Sequence, residues 1–271
     1  MKISVQYMIA TSFLLSSSWA GVCVLQAQQS GRATAERNLK IQPQLVRKTV
    51  SVINPPARGS VTTTLKGTDL APSASGEAKL KMGAVEVTIE AQASGLGTPG
   101  SYGAQFETYV MWAITPAGRV FKLGAMEAKG NRFELNAKSA VRSFAIVVTA
   151  EPYQQVTRPA DMIVLEVVAG DQTVAASYEF LKGAYAPVGY LFSPLDTGAG
   201  YPSQILQMYN ARRIATLAGA KGNDNFKMGD ELFNSVISSA ERQKKFTDVI
   251  LGQAVSATQY FEAARVKVVG I

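Results

Sequence analysis

The sequence predicts a multidomain α+β chain in which an antiparallel β-sandwich precedes an antiparallel helical hairpin or three-helix bundle. Short β-branched runs recur between residues 59 and 170, and Gly, Pro, Ser and Asn separate them as turns separate strands. After Pro202 the apolar residues recur every three or four positions, which is the spacing of amphipathic helices. With 271 residues, the chain is long enough for two domains that each have a core.

Residues 1–27 have the pattern of an export signal. Lys2 is followed by the apolar stretch Met8–Leu25, and polar residues begin at Gln26. We expect cleavage after Ala27; cleavage after Ala20 and an uncut membrane anchor are the alternatives. The interpretation places the protein in the periplasm, or associated with the outer membrane, of a Gram-negative-type bacterium.

Residues 28–58 form a basic arm that we interpret as a linker. The net charge of the chain is +7, and this arm carries six Lys and Arg residues against one Glu. Such an arm is attracted to anionic lipid headgroups or other anionic envelope surfaces. Because the remaining sequence is close to neutral, nucleic-acid binding is not expected.

Residues 59–170 contain about eight strand-like runs, a density typical of an immunoglobulin-like sandwich. The runs are "SVTTTLK", "GEAKLKM", "AVEVTIEAQA", "FETYVMWAI", "RVFKLGAM", "RFELNA", "SFAIVVTA" and "DMIVLEVV".

A hairpin within this region contains Trp112. Its turn, "TPAG", has Pro116 at the second turn position and Gly118 where positive φ is needed. If Ile114 pairs with Arg119, Trp112 faces Phe121 on one side of the sheet. This arrangement favours Trp112 as part of the core, with a ligand platform as the alternative.

Residues 171–202, rich in Pro, Gly and aromatic residues, are interpreted as an ordered connector, and residues 203–271 as the helical domain. Alanine and glycine in the apolar stripes allow the helices to approach closely. The stripes are Met208, Ala211, Ala215 and Ala218; Phe226, Gly229, Phe233, Val236 and Ala240; and Ile250, Ala254, Ala257, Phe261, Ala264 and Val268.

The residues available for chemistry are few. The chain has no histidine, and its one cysteine, Cys23, lies in the signal-like segment. Catalysis by a Ser-His-Asp or Cys-His arrangement is therefore excluded. Asp196 begins an Asp-Thr-Gly sequence like that of aspartic proteases, which leaves a hydrolase as a remote alternative. We expect no enzymatic activity, cofactor or metal site.

Residues 106–168 contain a recognisable series of strand and turn motifs. They are a Trp strand, a Pro-x-Gly turn, a following Leu-Gly strand and the pattern "FAIVVTAEP", with a proline before the last strand. The residues concerned are Trp112, Pro116, Gly118, Gly124, Phe144, Glu151, Pro152 and Pro159. In these features the segment resembles the extracytoplasmic domain of anti-sigma-K factors, and the resemblance implies a β-sandwich.

A second resemblance is carried by "GSVTTTLKGTDLAPSASGEAKL", "YNARRIATLAGAKGNDNFKMGDELFNSVISSAE" and "YFEAARVK". An Ala-Arg pair recurs in the first and last predicted helices. Through these segments almost the whole chain resembles bacterial envelope proteins that join such a sandwich to a helical domain, often ahead of an OmpA-like domain. The candidate partner contacts are Arg212, Arg213 and Arg265.

The function expected from these features is that of a non-enzymatic structural or protein-interaction module, whose partner is an envelope protein or an anionic envelope surface. The alternative is a sensory module that binds a small molecule or glycan in a pocket around Tyr185, Tyr190, Phe192 and Tyr201. The oligomeric state and the functional face of the helices remain open.

Overall fold

The computed structural model describes residues 43–103, 105–170, 173–183, 185 and 201–270. Within these residues the chain is a mixed α+β protein, with two antiparallel sheets and three α-helices. The strands are β1 (Gln44–Ile53), β2 (Gly59–Gly67), β3 (Ser75–Met82), β4 (Val87–Ser94), β5 (Thr108–Ile114), β6 (Val120–Ala125), β7 (Glu127–Lys129), β8 (Arg132–Ser139), β9 (Ala145–Glu151), β10 (Ile163–Val167) and β11 (Thr173–Lys182). The helices are α1 (Ser203–Leu217), α2 (Asp224–Gln243) and α3 (Asp248–Val269).

The larger sheet has nine strands in the order β6-β5-β9-β10-β2-β3-β4-β8-β7. Its two edge strands, β6 and β7, are separated in the chain only by Met126. The sheet is therefore curled and nearly closed. Strands β3 and β4 alternate between buried and exposed residues, as expected where only one face contacts the core. Strands β5 and β9 are buried at every position, so both of their faces are covered. All eight strand-like runs of the sequence contain a strand.

The second sheet pairs β1 with β11 over ten residues. Val50 and Val52 of β1 pack with Ala145 and Val147 of β9, so this small sheet covers part of the outer face of the larger one. The sequence predicts a basic arm over residues 28–58 and a connector over residues 171–202, but residues 44–53 and 173–182 within them form strands. The charged residues of β1 make this strand look like a linker in the sequence. In the strand, exposed positions such as Arg47 alternate with positions that include the buried valines.

The predicted register of the β5–β6 hairpin is wrong by one residue. Ile114 pairs with Val120, and Trp112 pairs with Lys122. Because a shift of one residue moves a side chain to the opposite face, Phe121 is 39% exposed and does not lie beside Trp112. Trp112 itself is 1% exposed, which confirms its place in the core.

The turn of this hairpin explains the shift. The Gly118 amide donates to the Thr115 carbonyl at 2.9 Å, and the Thr115 amide donates to Arg119. Gly118 has φ +77°, so the loop is a β-turn followed by a left-handed residue. Thr115 and Arg119 therefore close the loop, whereas the expected closing pair was Ile114 and Arg119.

The three helices bear the predicted stripes, except that Ala218 of the first stripe follows the last residue of α1 and is only half-buried. Every member of the second stripe is buried, and in the third only Val268, which is 47% exposed, departs from the prediction. Asn223 caps α2 by accepting from the Asn225 amide. Gly229 permits close packing, because a Cβ atom there would lie 2.9 Å from the Phe261 ring.

The helices share their core with the larger sheet. Helix α3 packs against both α1 and α2. Buried residues of all three helices, including Met208 and Phe261, belong to the same hydrophobic cluster as Trp112 and Leu80. Among the described residues, none of the helices has the length and apolar character required to cross a membrane.

Candidate functional site

A loop between β9 and β10, residues 152–160, joins the sheet to the helices; we call it the junction loop. It is held from the sheet by Lys122, whose Nζ donates to the carbonyls of Gln154 at 2.8 Å and Val156 at 3.1 Å. From α1, Gln207 Oε1 accepts the Gln154 amide at 2.9 Å. Burial lowers the pKa of Lys122, although Glu262 and Glu151 oppose that shift.

A buried ion pair on α3 lies beside the junction loop. Glu262 and Arg265 are one helical turn apart and are each 2% exposed. The guanidinium binds in bidentate form, with Arg265 Nε donating to Glu262 Oε2 at 2.7 Å and Nη2 donating to Oε1 at 2.9 Å. Fork-like pairing of this kind is the most favourable geometry for an arginine and a carboxylate.

Glu262 also binds the junction loop directly. Its carboxylate accepts from Tyr153 Oη at 2.8 Å, from the Thr157 amide at 3.2 Å and from Thr157 Oγ1 at 3.0 Å. Burial alone would raise the pKa of Glu262, but the hydrogen bond and charge of Arg265, with the hydroxyls of Tyr153 and Thr157, hold it below its usual value. Glu262 is therefore an ionised carboxylate inside the protein.

Glu151, the last residue of β9, is a second buried carboxyl. Its Oε1 accepts from Thr149 Oγ1 at 2.6 Å and from the Ala160 amide at 2.9 Å. Trp112 Nε1 donates to Thr149 Oγ1 at 2.8 Å, so the tryptophan is the outer member of this chain of hydrogen bonds. Glu151 Oε2 has no hydrogen-bond partner among the described residues.

The charge of Glu151 differs from that of Glu262. Burial raises the pKa of Glu151 to about 8, even though the hydrogen bonds from Thr149 and Ala160 favour its ionised form. The side chain is therefore largely neutral at pH 7. Since Glu151 is 0% exposed, it can hold the junction loop but cannot exchange protons readily with a dissolved substrate.

Aromatic residues enclose the ion pair. The guanidinium carbon of Arg265 lies 5.7 Å from the centre of the Tyr185 ring, within the range of a cation–π contact. Tyr153 and Tyr185 meet edge to face with their centres 6.4 Å apart. Gln105 Nε2 donates to the Tyr185 carbonyl at 3.1 Å, and Asn210 Nδ2 of α1 donates to the Gln105 carbonyl at 3.2 Å. The network therefore connects α1, α3 and the sheet.

The structure separates the three arginines proposed as partner contacts. Arg212 binds Asp230 at 2.5 Å and lies 4.7 Å from the Phe233 ring, so it links α1 to α2. Arg213 is half-buried, and burial lowers its pKa. The prediction that Arg265 contacts a partner is wrong, because its guanidinium is buried against Glu262 and does not face an external partner.

The other candidates from the sequence fall partly outside the described residues. Asp196, Tyr190 and Phe192 lie outside them. Tyr185 is buried in the network, whereas Tyr201 packs against Phe246 with ring centres 5.7 Å apart. Within the described part of the chain, no group of three or more Cys, Asp or Glu residues could hold a metal ion.

The sequence motifs single out Glu151 and Arg265 but give no role to Glu262, which binds Arg265 and the junction loop. One signal was available: an acid and a base three positions apart, "EAAR", occur on the helix with the most apolar stripe. Charges at that spacing usually lie on a solvated face, so the pair was not distinguishable from a surface pair without the packing.

A separate surface cleft lies beside the junction loop. Its volume is about 850 Å³. It is lined by Arg47, residues 116–121, Thr157, Arg158 and Ser177, Tyr178 and Glu179.

No protein-family model matches this chain, and no match was found among the curated proteins or the solved structures. The case for a function therefore rests on the sequence, the fold and the buried network.

Proposed function

We propose that this chain is a non-enzymatic exported protein of the bacterial cell envelope that acts as a structural or protein-interaction module. The observation that carries the proposal is the buried pair of Glu262 and Arg265, which fastens the helices to the junction loop. The two charges pair with each other inside the protein, as the bidentate hydrogen bonds at 2.7 and 2.9 Å indicate.

The fold supports a module that presents preformed surfaces. Polar contacts from α1 and α3 and a shared hydrophobic core hold the helices against the sheet. A partner that binds such a surface does not have to order it first, so less conformational entropy is lost on binding. The finer fold proposal is that the nine-stranded sheet is a variant of the immunoglobulin-like sandwich.

The location is proposed from the sequence. The signal-like residues 1–27 and the resemblance to envelope proteins support export, and the basic residues 28–58 support contact with an anionic envelope surface. Cell fractionation with N-terminal sequencing tests this part. We expect the mature chain to begin at Gln28 or Gly21, whereas recovery of an uncut chain in the cytoplasm would contradict export.

Photo-crosslinking in whole cells tests the interaction itself. A photoreactive amino acid replaces Glu231 or Lys245, which are exposed on the helical side, and a matched control replaces Lys79, which is exposed on β3. We expect one envelope protein to be captured from a helical position and not from the control. The absence of any envelope protein from all three positions would overturn the proposal.

A further inference from the structure

The surface cleft is built from four segments that are distant in sequence. The β5–β6 turn forms one wall, and β11 and β1 contribute Ser177, Tyr178 and Arg47. The junction loop contributes Thr157 and Arg158. A volume of about 850 Å³ lies within the range of ~300–1,000 Å³ typical of small-molecule sites.

The cleft has an excess of positive charge. It is lined by three arginines and one carboxylate. Arg47 forms a salt bridge with that carboxylate, Glu179, at 3.3 Å. Arg119 and Arg158 form no salt bridge with any carboxylate in the described part of the chain. Two guanidinium groups thus remain available at one concave surface.

The backbone that carries these two arginines is fixed. The turn before Arg119 packs tightly on β11, since a Cβ atom on Gly118 would lie 2.3 Å from the Ser177 carbonyl oxygen. Arg158 follows Thr157, whose amide and hydroxyl both bind Glu262. The buried network therefore sets the position of one side of the cleft.

We propose that this cleft binds a small ligand that carries two or more carboxylate or phosphate groups. Guanidinium groups bind both anions through paired N–H donors. A single charge at a solvent-exposed arginine contributes little, so recognition requires at least two anionic groups bound together. Phe121 is 39% exposed at the rim, with Arg119 5.8 Å from its ring, and offers an apolar contact for the body of the ligand.

This site does not depend on the interaction function proposed above. Isothermal titration calorimetry on the full chain, with citrate and inorganic pyrophosphate as probes and acetate as the monovalent control, tests it directly. We expect saturable binding of citrate or pyrophosphate and no saturable binding of acetate. Vesicles with and without phosphatidylglycerol distinguish a lipid headgroup from a soluble ligand.

Two double variants separate the cleft from general charge. Arg119→Gln with Arg158→Gln removes two charges in the cleft, and Arg58→Gln with Arg242→Gln removes two exposed charges elsewhere. We expect the cleft variant to bind the probe at least ~10-fold more weakly and the control to stay within about twofold of the wild type.

Three outcomes would overturn the proposal: no saturable binding of either probe, equal weakening in the two double variants, or binding to anionic vesicles alone. Circular dichroism of both variants establishes that they fold. Because the replaced side chains are outside the core, both are expected to retain the wild-type spectrum.

Discussion

Glu262 on α3 and Glu151 on β9 both bind the junction loop, and both are almost completely buried. Glu262 has a guanidinium beside it and accepts five hydrogen bonds. Glu151 accepts two hydrogen bonds, neither of them from a cation, and its second oxygen has no partner among the described residues. The pKa of Glu262 is accordingly held low, whereas that of Glu151 is raised to about 8.

The comparison shows that burial does not by itself set the charge of a carboxyl group. Desolvation acts on both residues in the same direction, and the charge of the nearest partner decides the outcome. The ionised region also constrains the fold more strongly, because a buried charge must keep its partner wherever the helix packs. We infer that Glu262 and Arg265 select one position of α3 against the junction loop.

The largest expected effect comes from removing the cation. Arg265→Met leaves Glu262 buried and unpaired, which we expect to destabilise the fold by about 3–5 kcal/mol. Denaturant unfolding monitored by circular dichroism measures the change in the free energy of unfolding.

The double variant Arg265→Met with Glu262→Gln is the matched control. It removes both charges together, so we expect it to be more stable than Arg265→Met alone. If the double variant instead lost the sum of the two single effects, the residues would not act as a pair, and the contrast with Glu151 would fail.

The second prediction concerns the neutral carboxyl. Between the ordinary pKa of 4.5 and the folded value of about 8, Glu151 keeps a proton that the unfolded chain has released. The free energy of unfolding therefore falls as the pH rises through this window, by up to ~1.4 kcal/mol per pH unit from this residue. Unfolding of the wild type and of Glu151→Gln at pH 5.5, 6.5 and 7.5 measures the difference.

The contributions of the two carboxyls to the free energy of unfolding are expected to depend on pH in opposite directions. Glu151→Gln should flatten the pH dependence between pH 5.5 and 7.5. Glu262→Gln should leave the slope in that range unchanged, because a lowered pKa contributes stability that is fully present above about 4.5 and is lost only at lower pH. An unchanged slope in Glu151→Gln would show that this residue is ionised in the folded protein.

Periodicity in the sequence predicted much of the fold. Hydrophobic periodicity, which can be seen in the local sequence, predicted the stripes on α2 and α3 and the eight strand-like runs. Trp112 was predicted to lie in the core from its pairing with Phe121; Trp112 is buried as predicted, although it pairs with Lys122 instead. These are short-range signals, so they survive without knowledge of the tertiary contacts.

The elements that the sequence did not predict depend on contacts between distant residues. Strand β1 contains Arg47 and Lys48 and was interpreted as a linker, but the residues of its partner β11 lie 120 or more positions away. The hairpin register depended on the loop at Gly118, which has three residues between Thr115 and Arg119 instead of the four expected between Ile114 and Arg119. Glu262 contacts Tyr153 across 109 positions, and no local pattern specifies that pairing.

The smallest predicted effect compares single hydroxyl groups. Tyr153 donates to the ionised Glu262 at 2.8 Å, and Tyr109 donates to the neutral carbonyl of Gly97, also at 2.8 Å. Hydrogen bonds to charged groups contribute about 1.5–3 kcal/mol and those between neutral groups about 0.5–1.5 kcal/mol. We therefore expect Tyr153→Phe to lower the free energy of unfolding by ~2 kcal/mol and Tyr109→Phe by ~1 kcal/mol. Equal losses in the two variants would mean that the charge on Glu262 is balanced by Arg265 alone, and that the junction loop gains nothing from it.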